Sequence, residues 1–374
     1  MGKLLRVAAL GLAALIILSG CADGTTGSDE QTVTVWAYPT ISDDARHKEL
    51  WANLVSRFNE TNPEVKIDVE IFPWAKRDEA LQTAITSDTA PDLVYLVPDQ
   101  LSSYEASIEP MNTYLGQDRR NTLLPNVAQA VTAGDRLLGA PMLISSNPLV
   151  CSATAFRAAG VMTYPSTWED VTEMAPRFTE KGMYALTYSA DPGQTLNMSF
   201  YPLLWQAGGS VFDADEQIAF NSPQGVRALE FLTALARGNA LEPDSLTTAL
   251  NTEQTEFAAG HSGCTWSIPA VDLAPLLGEE NVVVLPPLTD EQSVAYGTVG
   301  SLSLLKGSRN KEAAGRFAAF VTDPVNSIDY LQAGGYFSPA AGTTPLYASS
   351  PLQSRVEQTL PTVRFGEQNH AARQ

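Results

Sequence analysis

The chain has 374 residues, of which 44% are hydrophobic and 17% charged, and its 42 acidic and 23 basic side chains give a formal net charge of -19. This length and hydrophobic content are enough for a large buried core, and they favour two lobes over one. The negative charge repels phosphate backbones and anionic lipids, which argues against nucleic-acid binding.

The N-terminus has the layout of an export signal. A basic start is followed by an apolar stretch over residues 7–18, and Leu18-Ser19-Gly20-Cys21 places small residues before a cysteine. The apolar stretch is too short to span a bilayer as a mature helix. This ending resembles the bacterial lipoprotein signal, which implies that residues 1–20 are removed and that Cys21 is lipidated. We therefore expect an extracytoplasmic protein anchored to the cell membrane by this lipid, with 21–31 as a flexible tether.

After the tether, the apolar residues first alternate and then change to a helical period. Val33 and Val35 alternate with threonines, which predicts a strand that ends at Trp36-Ala37-Tyr38. Leu50, Leu54 and Phe58 predict an amphipathic helix that stops before Asn62-Pro63. The next predicted elements are a strand over Val65–Val69 ending near Phe72-Pro73-Trp74, a helix near Asp78–Thr86, and a strand over Asp92–Val97 closed by Pro98-Asp99.

This alternation of strands and helices predicts a parallel sheet with right-handed crossovers. In such open sheets, ligands lie beyond the carboxyl ends of the strands. The side chains that follow the three strands are therefore expected at one edge: Trp36, Tyr38, Trp74 and Asp99.

The rest of the chain predicts three more helices. Ser166 can cap the first of them, with Glu169 reaching back to it. The second begins at Ser222-Pro223, and the third begins at Ser308 or Asn310. The residues predicted to face inward are Val226, Leu229, Leu232 and Ala236 on the second helix and Ala314, Phe317, Ala318 and Val321 on the third.

Short strand candidates separate these helices and suggest a second α/β lobe. We expect the chain to enter this lobe near 141–147, to leave it near 286–300 and to re-enter it after Gly334-Gly335. The strand candidates are 137–145, 281–285 and 300–305, and the predicted lobes are 32–142 with 300–333 and 147–298 with 336–374.

Two cysteines follow Cys21, and each lies in a segment that predicts a buried strand. Cys151 belongs to 148–152 and Cys264 to 262–267. An exported protein can keep a disulfide, but two buried free thiols would give the same sequence pattern. Both alternatives are consistent with the residues.

Several phrases along the chain resemble one protein family when they are taken in order over residues 32–345. This family is the sugar-binding, maltose-binding-protein-like class of solute-binding proteins of ABC importers. The phrases are Phe58-Asn59-Glu60-Thr61-Asn62-Pro63, Ala90-Pro91-Asp92-Leu93-Val94, Phe156-Arg157-Ala158-Ala159-Gly160, Tyr164-Pro165-Ser166-Thr167-Trp168, Trp205-Gln206-Ala207-Gly208-Gly209, Ala219-Phe220-Asn221-Ser222-Pro223 and Lys306-Gly307-Ser308-Arg309-Asn310-Lys311-Glu312-Ala313-Ala314.

The resemblance implies a type II periplasmic-binding-protein-like fold, in which two α/β lobes with mostly parallel sheets and flanking helices are joined by crossing hinge segments. It also implies that the lobes close on a mono- or oligosaccharide and present it to the permease subunits of an ABC importer. A monomer without metal or cofactor is expected. The family usually continues with a pair of helices beyond the point where this chain stops, at Gln374 soon after Leu360-Pro361, which leaves the completeness of the C-terminus open.

A carbohydrate site needs flat aromatic rings for the C–H faces and carboxylates or amides for the hydroxyls. Asp99 is the strongest candidate, because it follows a strand and occupies a position where the resembled family has a sugar-contacting aspartate. Where that family carries Trp after a proline, this chain has Pro269-Ala270, so one stacking ring is missing or moved. The other candidates are Trp36, Tyr38, Trp74, Trp205, Gln206, Trp266, Tyr336 and Asn147, whereas Trp51 and Trp168 lie on helices and are expected to pack.

Two alternatives to sugar capture stay open at this point. An exported glycan-acting enzyme would need two carboxylates about 5 to 10 Å apart, but Asp213 with Asp215 and Asp43 with Asp44 lie in turn-like or helix-start settings. The three histidines, His47, His261 and His370, are scattered, and no Gly-x-Ser-x-Gly elbow occurs. We therefore expect no enzyme. The second alternative is a polyamine or another small polar solute, held by acids and aromatic rings, or a lipoprotein that senses without import.

Overall fold

The computed structural model describes residues 31–189, 196–246, 252–343 and 345–367. The predicted signal, its cysteine Cys21 and the tether up to residue 30 lie outside them. The described strands are β1 (Gln31–Ala37), β2 (Val65–Ile71), β3 (Leu93–Leu96), β4 (Ile108–Glu109), β5 (Thr132–Ala133), β6 (Arg136–Leu137), β7 (Ala140–Ile144), β8 (Leu149–Ser152), β9 (Tyr184–Thr187), β10 (Ser262–Thr265), β11 (Val282–Leu285), β12 (Ala295–Tyr296), β13 (Val299–Leu305) and β14 (Val363–Arg364). The described helices are α1 (Asp44–Asn59), α2 (Arg77–Thr86), α3 (Pro98–Tyr104), α4 (Gln117–Asn121), α5 (Pro125–Ala130), α6 (Ala153–Ala159), α7 (Trp168–Thr179), α8 (Phe200–Gln206), α9 (Pro223–Arg237), α10 (Ala270–Leu277), α11 (Lys311–Val321), α12 (Ile328–Gly334) and α13 (Pro351–Glu357).

The first sheet has the order β2-β1-β3-β13-β4, with β7 also paired to β13. β1 is parallel to β2 and β3, as the alternation predicts. Its valines Val33 and Val35 are fully buried, and α1 buries Leu50, Leu54 and Phe58 against the sheet. β1 begins at Gln31, within the predicted tether, because Gln31 already pairs with Val65.

The second sheet has the order β11-β8-β10-β9. β9 and β10 are parallel, and β8 is antiparallel to both of its neighbours. In the first sheet, β13 is likewise antiparallel to β3, β4 and β7. In each sheet, all strands but one thus run in the same direction. The reversed strand, β13 in the first sheet and β8 in the second, is the one that the chain reaches when it crosses from the other sheet. The predicted fold class is confirmed.

The chain passes between the two sheets three times, and the crossing segments lie side by side. The first connects β7 to β8, the second connects β11 to β13, and the third follows α12 and leads to α13, which packs on α10 and β11. Phe337 and Ile144 exchange backbone hydrogen bonds of 2.9 and 3.1 Å, and Asn147 N donates to Tyr296 O at 2.8 Å. A side-chain carbon at Gly297 would lie 2.1 Å from Ser145 O, so only glycine allows this approach. The exact residue ranges of the lobes stay a prediction.

Cys151 and Cys264 form a disulfide in the structure. They face each other in the antiparallel pair of β8 and β10, with their Cα atoms 4.0 Å apart. Both side chains are fully buried.

Two details of the helix predictions are wrong. The N-cap of α7 is Thr167 rather than Ser166, and its capping-box partner is Asp170 rather than Glu169. The Asp170 carboxylate accepts from the Ser166 backbone and hydroxyl at 2.8 Å each, and these bonds are the main cause of its lowered pKa. On α9 the predicted inward face is largely exposed. The helix contacts α7 and α8, and its buried residues are Gly225, Ala228, Phe231 and Leu235. On α11 the inward face is as predicted.

Candidate functional site

A cleft of about 1140 Å³ lies at the crossing segments, between the two sheets. One wall consists of the loops that follow β1, β2 and β3, and the opposite wall contains the start of α10 and part of α13. The crossing segments line it as well, through residues such as Asn147, Tyr296 and Tyr336. The cleft therefore has contributions from both halves of the molecule.

The first wall follows from the parallel strand order. Because β1, β2 and β3 run in the same direction, their carboxyl ends meet at one edge of the sheet. The loops that continue from these ends bring Thr40, Trp74 and Asp99 into the cleft lining. The edge predicted from the sequence is thus the edge that lines the cleft.

Trp74 presents a flat ring to the cleft. Its side chain is 41% exposed, while its indole nitrogen donates a hydrogen bond to Pro39 O at 3.1 Å. Tyr38 is stacked on it with ring centroids 5.2 Å apart and planes 20° apart. Tyr38 is itself buried and outside the lining, so it supports Trp74 from behind.

Charged side chains surround this ring. The Arg77 guanidinium carbon lies 4.7 Å from the Trp74 ring centroid, and Arg77 Nε lies 3.8 Å from Asp78 Oδ2. Gln100 fixes two carboxylates, because its side-chain amide donates to Asp78 at 2.6 Å and its backbone N–H donates to Asp99 at 3.0 Å. Lys76 turns the chain ahead of Arg77 in the left-handed region, with φ of 61°.

Tyr336, on the third crossing segment, also lines the cleft. Its hydroxyl donates to Thr40 O at 2.5 Å. Burial, and then the nearby Asp272, raises the pKa of Tyr336 to about 12, so the hydroxyl keeps its proton at neutral pH and stays a donor. Desolvation, and then Glu253, raises the pKa of the Asp272 carboxyl on α10.

The opposite wall has no tryptophan among its described residues. Pro269 and Ala270 stand at the start of α10, where the sequence led us to expect a missing or moved ring. Besides Trp74 and Tyr336, the aromatic residues of the lining are Tyr296, Phe337, Tyr347 and Phe365.

Four of the predicted site residues come together in the cleft lining: Trp74, Asp99, Asn147 and Tyr336. The other five lie outside it. Besides Tyr38, Trp36 belongs to this second group, because its ring packs on Phe72 with centroids 4.1 Å apart. Trp266 is buried against Tyr188 on the second sheet, and its indole nitrogen has no hydrogen-bond partner among the described residues.

Trp205 and Gln206 are also buried outside the cleft lining. Trp205 donates to Glu367 Oε1 at 3.1 Å, and the Arg364 guanidinium carbon lies 4.8 Å from its ring centroid. Gln206 accepts from the Trp168 indole at 2.7 Å and donates to Val294 O at 3.0 Å. Their partners occupy the polar groups that a ligand would need.

Several lining residues were missed in the sequence. Arg77 and Asp78 begin α2, shortly after Trp74 in the connection from β2, so the rule that selected Trp74 could have included them. Tyr347, Gln353 and Phe365 carry no local signal, because they reach the cleft only through the folding of the C-terminal segment.

Two mostly parallel sheets with flanking helices, three segments that cross between them and a cleft between the two sheets define a two-lobe binding protein. Residues 44–327 match the family described as "Bacterial extracellular solute-binding protein". The chain belongs to this family, which is a family of binding proteins. No helix among the described residues is long and apolar enough to cross a bilayer.

Solved structures share this fold at low sequence identity. An ABC substrate-binding protein from Listeria monocytogenes in complex with cycloalternan has a TM-score of 0.76 and 19% identity, with 92% of this chain and 90% of that chain covered. Maltose-bound MalE3 from T. maritima has a TM-score of 0.74 and 19% identity, with 91% and 90% covered. An uncharacterized lipoprotein of Streptomyces antibioticus is 26% identical over 222 residues, or 56% of this chain and 47% of that protein.

Proposed function

We propose that this protein captures a mono- or oligosaccharide between its two lobes outside the cytoplasm and delivers it to the permease subunits of an ABC importer. The observation that carries the proposal is the exposed Trp74 ring, with Asp99 beyond the next strand on the same wall and a second wall opposite. A sugar offers apolar C–H faces and hydroxyl groups, so a ring with nearby carboxylates fits both. The maltose bound to the T. maritima relative supports this ligand class.

The capture mechanism follows from the two walls. A ligand that contacts both lobes stabilises a closed state, because the open state cannot make all of these contacts at once. The permease would then recognise the closed state. Micromolar capture corresponds to about -8 kcal/mol, which one stacked ring and a few charge-assisted hydrogen bonds of about 1.5 to 3 kcal/mol each can supply after ordering costs.

The membrane attachment belongs to the same proposal. The small residues before Cys21 and the lipoprotein relative in Streptomyces antibioticus support a lipid anchor at this cysteine. The protein would act as a monomer held near its permease. We propose binding without catalysis. Two of the aspartates considered for an enzyme have structural contacts: Asp43 caps α1, and Asp213 accepts hydrogen bonds from backbone N–H groups of its own turn.

The test starts from a thermal-shift screen of the mature protein against a carbohydrate panel, followed by calorimetry with the sugar that stabilises it most. We expect Asp99→Ala and Trp74→Ala each to weaken binding at least about tenfold, which is about 1.4 kcal/mol. Asp68→Ala is the matched control, since Asp68 is exposed on β2 and outside the cleft lining. Unchanged affinity in both cleft variants, with the fold intact, would contradict the placement of the site.

A cationic solute such as a polyamine is the second candidate. The charged side chains among the described lining residues are Asp78, Asp99, Asp272 and Arg77, so carboxylates outnumber guanidinium groups. Spermidine in the same screen separates the two candidates. Binding driven by these charges would weaken strongly with added salt, whereas sugar stacking would change little.

A further inference from the structure

A buried histidine lies behind the cleft wall. His47, on α1, has no exposed surface, and its Nε2 lies 2.7 Å from the Tyr330 hydroxyl and 3.1 Å from the Trp51 indole nitrogen. An indole N–H can only donate, so His47 Nε2 must accept. The imidazole is therefore neutral, with its proton on Nδ1, and Nδ1 is buried without a hydrogen-bond partner among the described residues.

The same histidine is linked to the cleft through hydroxyl groups. The Tyr330 hydroxyl lies 2.6 Å from Thr40 Oγ1, and Thr40 lines the cleft. From the cleft side, Tyr336 donates to Thr40 O, and Trp74 donates to the adjacent Pro39 O at 3.1 Å. The Pro39-Thr40 turn is thus held from behind by Tyr330 with His47 and from the front by two ring-bearing residues of the cleft.

The groups packed around His47 do not favour a positive charge on it. On α1, the helix that carries His47, the Trp51 indole N–H donates to His47, and Asp44 is the charged side chain that acts on His47. From α12 it meets the Tyr330 hydroxyl, and from the turn after β1 it meets Thr40. Burial outweighs Asp44 and lowers the pKa of His47 below its usual value.

Protonation would change each of these contacts. A proton on Nε2 removes the acceptor for the Trp51 N–H and makes Nε2 a donor, so the Tyr330 hydroxyl must turn its own hydrogen away. This reverses the contact that reaches Thr40.

We propose that His47 is a positioning residue for the cleft: while neutral it fixes the Pro39-Thr40 turn and, through it, Trp74, and on protonation it shifts both. Ligand capture then weakens in acid. This last consequence rests on the proposed function, while the shift of the turn does not require a ligand.

The sign of the effect follows from proton linkage. The folded protein disfavours protonated His47, so below pH about 6.5 the unfolded chain binds more protons at this residue than the folded chain. The contribution of His47 to stability is therefore constant above that pH and falls as the pH decreases below it.

The experiment uses ¹⁹F NMR of the ligand-free mature protein labelled with 5-fluorotryptophan, with resonances assigned by single Trp→Phe replacements, between about pH 8 and about pH 5, where an imidazole titrates. We expect the Trp51 and Trp74 resonances to shift with one shared midpoint. His47→Gln should remove both shifts. His261→Gln is the matched control, since His261 is exposed and paired with Glu256, and it should leave both shifts unchanged, as should His370→Gln.

Tyr330→Phe keeps the titrating His47 but removes the hydroxyl that connects it to Thr40. This variant also provides the test if His47→Gln does not fold. Without the hydroxyl, Trp51 should still titrate, because it bonds His47 directly, whereas Trp74 should not. The proposal is overturned if Trp74 does not titrate in the wild-type protein, if it still titrates in Tyr330→Phe, or if both shifts persist in His47→Gln. Since no ligand is present, a failure to bind any sugar would leave these results standing.

Discussion

At the scale of single residues, the two aspartates that flank β3 have different surroundings. Asp92 precedes the strand and is buried, and its carboxylate accepts from Thr34 N at 2.8 Å, Thr34 Oγ1 at 3.0 Å and Ser308 Oγ at 2.6 Å. It therefore ties β1 to β3 and to the loop before α11. Asp99 follows the carboxyl end of the strand and lines the cleft. The position relative to the strand, rather than the residue type, separates the structural carboxylate from the one that lines the cleft.

We expect Asp92→Ala to lower the free energy of unfolding by about 2 to 4 kcal/mol, because it leaves the Thr34 N–H without its charged acceptor. Urea denaturation followed by circular dichroism measures this. Asp68→Ala, on the exposed edge of β2, should change the free energy by less than about 0.5 kcal/mol. If both variants lose the same small amount, the Asp92 carboxylate does not tie the strands together.

Tryptophans show where residue-level prediction stops. Trp74 follows a strand, and the strand-end rule placed it in the cleft. Trp205 looked equally suitable, but it is covered by Arg364 and Glu367, which are far away in the sequence. A local pattern cannot reveal partners that distant, so the sequence could not tell a cleft-facing ring from a covered one. It also gave no signal for the buried link from His47 to Thr40.

At the scale of elements, α9 shows how a correct helix can be assigned the wrong face. Its large aliphatic residues Val226 and Leu229 suggested the inward side, but they are 50% and 54% exposed. The buried face instead mixes small and large residues, among them Phe231, and a side-chain carbon at Gly225 would lie 2.0 Å from Phe220 O in the preceding loop. On α11, where small and large residues share one face, the same periodicity argument was right. The hydrophobic period therefore predicted both helices, but on α9 it did not identify the buried face.

The two faces of α9 can be compared directly by mutation. Phe231 is buried and stacked on Trp168 with ring centroids 4.7 Å apart, so Phe231→Ala should lower the free energy of unfolding by about 3 to 5 kcal/mol. Leu229→Ala, on the exposed face, should change it by no more than about 0.5 kcal/mol. Guanidinium denaturation of both variants gives the comparison. Equal losses would mean that the exposed face is covered in solution.

At the scale of the whole molecule, the alternation of strands and helices predicted two α/β lobes, and the structure has two sheets joined by three crossing segments. What the sequence did not show is how the C-terminal segment joins them. β14 pairs with β12 on the second crossing segment. The Thr359 hydroxyl oxygen lies 2.7 Å from the Ser146 hydroxyl oxygen on the first crossing segment. The side-chain amide of Asn126 on α5 donates to Leu360 O and Val363 O at 3.1 Å each. These contacts link short segments across long stretches of chain, and none has a periodic pattern.

The disulfide between Cys151 and Cys264 joins two parts of the chain that are far apart in sequence. It joins β8 to β10 across 113 residues, a span that contains most of the second sheet and helices α6 to α9. In the chain-entropy view, closing a loop of this length restricts the unfolded state by about 4.7 kcal/mol. Replacing both residues, Cys151→Ala with Cys264→Ala, should therefore lower the free energy of unfolding by several kcal/mol, measured by guanidinium denaturation without reductant.

The reduced wild-type protein is the control for this double variant, because it lacks the same bond but keeps both sulfur atoms in the core. Its denaturation midpoint should fall close to that of the double variant and below that of the oxidised protein. The cleft lies at the crossing segments and is not lined by either cysteine, so ligand affinity should be retained when the bond is absent. Mass spectrometry of the unreduced mature protein that finds both thiols free, or equal stability with and without reductant, would show that the bond does not hold the second lobe in solution.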